Sequence, residues 1–111
     1  MTFHNLETLE RWQSLPVEKQ ILNIASELAR SLRHYRLGER QYLCDSLDRS
    51  FELVDATIAD SKWKGLLREL LRVREMLGEF YTNRSLSSEE FERVIRAFLS
   101  FHPKTYTISF S

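Results

Sequence analysis

The sequence predicts an all-α protein, an up-and-down four-helix bundle with a short N-terminal helix and an extended C-terminal tail. Four long stretches repeat apolar residues at the i, i+3, i+4, i+7 spacing of a helix that buries one side. Only three glycines and two prolines interrupt the 111 residues, and polar or turn-forming residues separate the stretches. A chain of this length supports one modest core. We therefore expect a single domain over residues 1–111, with residues 104–111 as the tail.

Two helices are predicted before residue 36. Residues 5–13 form a short amphipathic pattern, with Asn5 as its N-cap. Pro16 suits the first turn of the next helix, which should run to about Tyr35. The side chains expected to face the core are Leu6, Leu9 and Trp12 in the short helix and Val17, Ile21, Ile24, Ala25, Leu28, Leu32 and Tyr35 in the long one.

The second long helix is predicted over residues 39–59. Gly38 follows a helical pattern and is typical of a helix C-terminus with a short turn. Cys44 lies within the pattern and is expected to be a buried free thiol. The predicted core positions of this helix are Leu43, Leu47, Phe51, Val54 and Ile58.

The third long helix is predicted over residues 62–81, with Ser61 as its cap. Its apolar stripe contains one charged residue, Arg74, which we expect to pair with an aspartate such as Asp48 or Asp55, or to lie at a subunit contact. The stripe consists of Trp63, Leu66, Leu67, Leu70, Leu71, Arg74, Leu77 and Tyr81.

The last helix has the clearest start signal in the chain. Ser87 followed by Glu90 is a capping box, and Leu86 with Phe91 has the spacing of a hydrophobic staple. The helix should end at residues 102–103, His-Pro. The predicted core positions are Phe91, Val94, Ile95, Phe98 and Leu99.

The tail over residues 104–111 changes period. Tyr106, Ile108 and Phe110 alternate with Thr and Ser, which is a strand pattern. Such a segment could lie extended over the bundle, pair with a second chain, add to a partner's sheet, or remain poorly ordered. These alternatives stay open at this point.

Composition restricts the cellular setting and the partners. Sixteen basic and sixteen acidic side chains give zero net charge, so no overall attraction to nucleic acid is expected. The single cysteine excludes an internal disulfide and a zinc ribbon. No signal region and no membrane-length apolar run is present, which favours a cytoplasmic protein without a membrane contact.

Catalytic patterns are absent from the sequence. No glutamate is followed three residues later by a histidine, the pattern of di-iron bundles. Cys44 has no neighbouring histidine to activate it, and no glycine-rich phosphate loop occurs. We therefore expect no enzyme activity, no metal and no cofactor.

Arginines form the most suggestive set of candidate binding residues. One group surrounds the Gly38 turn, and a second lies on the solvent side of the third long helix. Guanidinium groups match phosphate oxygens, so the set is a candidate nucleic-acid surface without sequence preference. The alternative is a solvated face of ion pairs with nearby glutamates. The six candidates are Arg30, Arg33, Arg36, Arg40, Arg68 and Arg72.

Several of these segments resemble the accessory proteins of diversity-generating retroelements. The similar segments are Arg36-Leu37-Gly38-Glu39-Arg40, then Leu47-Asp48 and Glu52-Leu53, then residues 66–74 and finally residues 86–91, in the same order. Bundle proteins encoded by ribosomal RNA intervening sequences are related to that family. The resemblance implies a non-catalytic four-helix bundle that assembles into a ring and binds a reverse transcriptase and its template RNA.

The leading hypothesis is therefore a homo-oligomeric accessory or adaptor protein that binds a reverse transcriptase, its template RNA, or both, with the six arginines as the RNA contact. The alternative is a purely protein-binding helical bundle, an oligomeric scaffold or regulatory adaptor, with no nucleic-acid contact.

Overall fold

The computed structural model describes residues 6–82 and 87–108, and every regular element in these residues is helical. The elements are α1 (Leu6–Gln13), α2 (Val17–Leu37), α3 (Arg40–Ile58), a 3₁₀ helix (Ser61–Leu66), α4 (Leu67–Thr82) and α5 (Ser88–Leu99). Three predicted positions lie outside the described residues: the N-cap Asn5, the hydrophobic-staple residue Leu86 and the tail residue Phe110. No helix in the described part of the chain is long and apolar enough to cross a membrane.

The four long helices close into an up-and-down bundle, which confirms the predicted fold class. Helix α2 packs on α3, α3 on α4, α4 on α5, and α5 back on α2. In each pair the residue numbers rise along one helix as they fall along the other, so neighbouring helices are antiparallel. The contacts that show this order are Glu27–Arg49 and Ser31–Ser46 for α2 and α3, Asp55–Arg74 and Phe51–Tyr81 for α3 and α4, Trp63–Phe98 and Phe80–Phe91 for the 3₁₀–α4 segment and α5, and Tyr35–Phe91 and Glu18–His102 for α2 and the α5 end.

One apolar core runs through the bundle and contains most of the predicted side chains. Leu28, Leu47, Leu77 and Ile95, one from each long helix, are all fully buried. Burial of each such side chain contributes about 1.5–3 kcal/mol relative to exposure. Cys44 is half-buried at the margin rather than within the core.

Helix α4 buries a face that is rotated from the predicted stripe: Leu70 and Leu77 are buried as predicted, but the edges of the buried face differ. Leu67 and Leu71 are exposed, whereas Val73 and Phe80, outside the predicted stripe, are buried. The cause lies in the preceding segment, Ser61–Leu66, which is a 3₁₀ helix with three residues per turn instead of 3.6. A stripe drawn through both segments as one α-helix therefore has the wrong phase along α4.

A buried polar cluster joins the helix ends at one pole of the bundle. Asp60, rather than the predicted Ser61, caps the 3₁₀ helix by accepting a hydrogen bond from the Lys62 backbone N–H at 3.2 Å. The Gln20 amide donates to the Asp60 carboxylate (3.0 Å) and accepts from the indole N–H of Trp63 (2.7 Å). No buried side-chain polar atom of the described residues lacks a hydrogen-bond partner. The cluster therefore stabilises the packing of the helix ends and offers no free buried group to a ligand.

The described part of the C-terminal tail is folded and not extended. Residues 101–107 form turns in which the Tyr106 N–H donates to the His102 carbonyl at 3.0 Å. The buried Thr105 hydroxyl donates to the Leu99 carbonyl at 2.6 Å. That bond satisfies a carbonyl of the last α5 turn, which otherwise has no partner within the helix. The alternating pattern predicted an extended strand because it carries no information on these local hydrogen bonds, which favour turns.

Candidate functional site

The turn between α2 and α3 brings two groups of polar side chains together. Gly38 takes the left-handed conformation (φ 69°), and the N–H groups of Gly38 and Glu39 donate to the carbonyls of Tyr35 and His34. This is the Schellman arrangement that glycine favours at helix ends. Helix α3 begins two residues later, at Arg40. The tight turn therefore places the last two turns of α2 beside the first turn of α3.

Two adjoining depressions lie at this turn, with volumes of about 380 and 390 Å³. Arg33 and Leu37 line both of them; Arg30 and Tyr42 line the first, and Arg36 lines the second. We call these five residues, together with His34, the arginine surface. The structure thus brings three of the six predicted arginines together.

Two large apolar side chains lie exposed within the arginine surface. Leu37 is 60% exposed and Tyr42 is 62% exposed. The Tyr42 ring stacks on the imidazole of His34, with ring centroids 5.4 Å apart, and His34 also contacts the Glu39 carboxylate at 2.8 Å. A tyrosine held in this way presents a fixed ring face at small entropic cost.

Ion pairs occupy part of the arginine surface. Arg30 pairs with Glu27 at 2.7 Å, and Arg36 pairs with Glu92 of α5. Arg33 forms no ion pair with any described residue. The Arg36–Glu92 pair is solvent-exposed and worth little, so Arg36 can exchange its carboxylate for another anion. The Glu27 partner of Arg30 is only 16% exposed and also pairs with Arg49, so Arg49 can still balance its charge when Arg30 turns to another anion.

The remaining three arginine candidates are not part of this surface. Arg40 donates to the Tyr81 carbonyl at 2.5 Å and so supports the C-terminus of α4. Arg68 and Arg72 are exposed near the opposite end of α4. At 1.5 Å per helical residue, Arg68 lies about 20 Å along α4 from the Tyr81 end that Arg40 contacts. The six arginines therefore do not form one contiguous surface.

The sequence reasoning gave no binding role to Leu37, and it missed Tyr42 altogether as a site residue. Its position lies off the apolar stripe of α3, next to Leu43, which is buried. A large ring off the stripe, four residues after a turn glycine and among arginines, is the signal that could have revealed it.

Two other features of the structure bear on chemistry. Arg74 pairs with Asp55, one of the alternatives that the sequence left open, with Nε 2.5 Å from Oδ1, and this hydrogen bond raises the pKa of Arg74. Across residues 6–82 and 87–108, no three His, Cys, Asp or Glu side chains are close enough to hold a metal ion. The arginine surface is therefore the strongest candidate site, and its chemistry is that of anion and ring recognition.

No protein-family model, curated protein or solved structure matches this chain. The resemblance to retroelement accessory proteins thus stays a prediction.

Proposed function

We propose that this chain is a non-catalytic helical accessory protein of the cytoplasm that contacts single-stranded RNA through the arginine surface. The observation that carries the proposal is the grouping of Arg30, Arg33 and Arg36 around an exposed Tyr42 ring. The resemblance of the sequence to retroelement accessory proteins makes the proposal more specific: the RNA is the template of a reverse transcriptase, and the protein binds that enzyme as a homo-oligomer.

The chemistry of the surface fits single-stranded RNA. Guanidinium groups bind phosphate oxygens in a bidentate manner, and the bases of unpaired RNA stack on aromatic side chains. Arg30 and Arg36 lie about 9 Å apart along the axis of α2. The depressions are open, so a flexible strand can enter them without a change in the bundle.

The zero net charge of the chain limits how strong this binding can be. Three phosphate contacts to a single strand give a slope of about −2 for log affinity against log salt concentration. We therefore expect weak binding without sequence preference that is measurable at low salt and falls steeply as salt rises.

Fluorescence anisotropy with a labelled single-stranded RNA tests the proposal. The double variant Arg30→Ala/Arg33→Ala should weaken binding about tenfold at low salt. The matched control is Arg68→Ala/Arg72→Ala, which removes the same charge from exposed positions of α4 and should retain most of the affinity.

Equal losses in the two double variants would show that only overall charge matters and would overturn the assignment of the surface. Absence of RNA binding at low salt would overturn the RNA proposal itself. The enzyme partner is tested separately, by copurification of the chain with a retroelement reverse transcriptase and by light scattering of the chain alone.

A purely protein-binding bundle is the second candidate, and the exposure of Leu37 and Tyr42 favours it. Tyrosine and arginine are enriched among the residues that dominate protein interfaces. Under this alternative, Tyr42→Ala abolishes capture of the partner protein while RNA binding is absent from the start.

A further inference from the structure

A groove between α3 and α4 lies apart from the arginine surface and has a different chemistry. Its volume is about 330 Å³, and its walls include Asp48, Phe51 and Asp55 from α3 and Arg74, Gly78 and Tyr81 from α4. The proposed function uses none of these side chains.

The groove already holds one guanidinium group. Arg74 Nε donates to Asp55 Oδ1 at 2.5 Å and Nη2 donates to Oδ2 at 3.3 Å. The same guanidinium carbon lies 5.4 Å from the centroid of the Phe51 ring. A carboxylate beside an aromatic face is a well-attested arrangement for binding an arginine or lysine side chain.

Further carboxylates on α3 lack such a partner. Asp48 accepts a hydrogen bond from the Tyr81 hydroxyl, which raises the pKa of Tyr81. Asp45 and Glu52 do not line the groove but lie beside it on the same side of α3, at three- and four-residue steps from Asp48. Among the described residues, Asp45, Asp48 and Glu52 form no ion pair with a basic side chain.

The α4 side of the groove continues into an apolar edge. Leu67 and Leu71 are 39% and 49% exposed, and Leu71, Arg74 and Gly78 follow at helical steps. A Cβ added at Gly78 meets no atom within 4 Å. The glycine therefore leaves open space where another backbone can approach α4 closely.

We infer that the α3–α4 groove binds a basic amphipathic helix of a protein partner. Cationic side chains of that helix pair with Asp48, Glu52 and Asp45 near the Tyr81 end of α4. Its apolar side chains cover Leu71 and Leu67, which lie about 15 and 21 Å further along α4, so the partner helix must span about four turns.

Charge complementarity at the α3 wall selects this occupant, since carboxylates without an ion-pair partner repel RNA phosphates and favour lysine and arginine. On the α4 edge, exposed Arg68 and Arg72 lie beside the two leucines, so only the apolar side chains of the partner helix pack there. The groove is thus a second docking surface, independent of the arginine surface.

Titration of a labelled amphipathic peptide of leucine and lysine at helical spacing tests the inference. The full-length chain should bind this peptide, and the matched peptide with glutamate in place of lysine should not bind. The variant Asp48→Asn/Glu52→Gln should weaken binding about fivefold. The control variant Glu69→Gln/Glu79→Gln changes two exposed carboxylates of α4 that lie away from the groove, and it should bind as the wild type does.

Three results would overturn the inference: equal affinity for the two peptides, unchanged affinity in Asp48→Asn/Glu52→Gln, or no binding of the lysine peptide. A fourth concerns the occupant. If light scattering shows an oligomer that Asp48→Asn/Glu52→Gln dissociates, the groove holds a second copy of this chain instead of a partner helix. Circular dichroism of each variant verifies that the bundle remains folded.

Discussion

Gln20 and Asp60 illustrate, at the scale of single residues, how polar groups can stabilise the interior of a helical bundle. Gln20 is completely buried, and Asp60 is 7% exposed. Gln20 donates both to Asp60 and to the Trp12 carbonyl at 3.0 Å, while it accepts from Trp63. Because every polar atom of this cluster has a partner, its burial carries no large desolvation penalty, and removing any one member would leave others unpaired.

Asp60 should make the stability of the fold sensitive to acid. Burial opposes ionisation of its carboxyl group, but the hydrogen bonds from Lys62 and Gln20 more than offset burial and lower the pKa below 3.8. A carboxyl group with a lowered pKa stabilises the folded state above its unfolded pKa, and that contribution disappears as the pH falls through the folded pKa.

We therefore expect the wild type to be more stable than Asp60→Asn by a constant amount above about pH 5, with the difference shrinking below about pH 4. Urea unfolding at several pH values measures both free energies of unfolding. A difference that stays constant down to the lowest pH at which the fold persists would contradict the assigned role of Asp60.

Two glycines affect the stability of single helices in opposite ways: one ends α2 and the other lies inside α4. Gly38 ends α2 with a positive φ of 69°, a conformation that side chains with a Cβ rarely adopt. Gly78 lies inside α4, and a Cβ there meets no atom within 4 Å. The backbone conformation at Gly38 and the intrinsic helix propensity at Gly78 therefore decide the effect of a substitution.

Gly38→Ala should lower the free energy of unfolding by about 1 kcal/mol. Gly78→Ala is the matched control and should raise it by up to about 1 kcal/mol. Thermal unfolding followed by circular dichroism measures both changes. Two shifts of the same sign would show that the ends and interiors of these helices are not governed by local backbone preference.

The elements also show where sequence reasoning succeeds and where it fails. Gly38 and Ser87 were recognised as helix boundaries because their local chemistry fixes the backbone: the Glu90 N–H donates to the Ser87 hydroxyl at 3.2 Å. The 3₁₀ helix before α4 has no comparable signal. It depends on Asp60 and on the burial of Trp63 against other helices, so the phase of α4 could not be read from spacing alone.

At the scale of the whole molecule, the bundle has one continuous core, with no internal boundary among the described residues. Trp63 and Phe98 stack at one pole, with ring centroids 6.1 Å apart, and Phe80 and Phe91 meet toward the other pole at 4.5 Å. Buried leucines from all four long helices lie between them. Such a core favours cooperative loss of all helices together.

We accordingly expect unfolding in a single two-state transition. Far-UV circular dichroism, which reports helix content, and the fluorescence of Trp12 and Trp63, which reports one pole, should give the same midpoint in urea. An earlier fluorescence transition would show that the pole with the buried polar cluster unfolds separately from the rest.

The candidate site depends on the packing of the whole molecule. The sequence groups Arg30, Arg33, Arg36 and Arg40 around the Gly38 turn. The first three do lie together, because they share the last turns of α2, whereas Arg40 contacts the Tyr81 carbonyl instead. The sequence also assigned Arg68 and Arg72 to the candidate RNA surface, because the sequence pattern of an exposed arginine does not depend on where its helix lies in the bundle. Their separation from the other arginines follows from the antiparallel packing of the helices, which the predicted up-and-down topology already implied but which was not applied to the arginines.

The antiparallel order of the helices has a practical consequence for experiments. Helix α1 contacts the end of α3 through Trp12 and Thr57, and Lys104 after α5 reaches Glu18 at the start of α2. Both segments lie at the pole farthest from the α2–α3 turn. A fluorophore or surface tether attached at Lys104 would leave the pole with the arginine surface pointing away from its support, accessible for single-molecule or biosensor measurements.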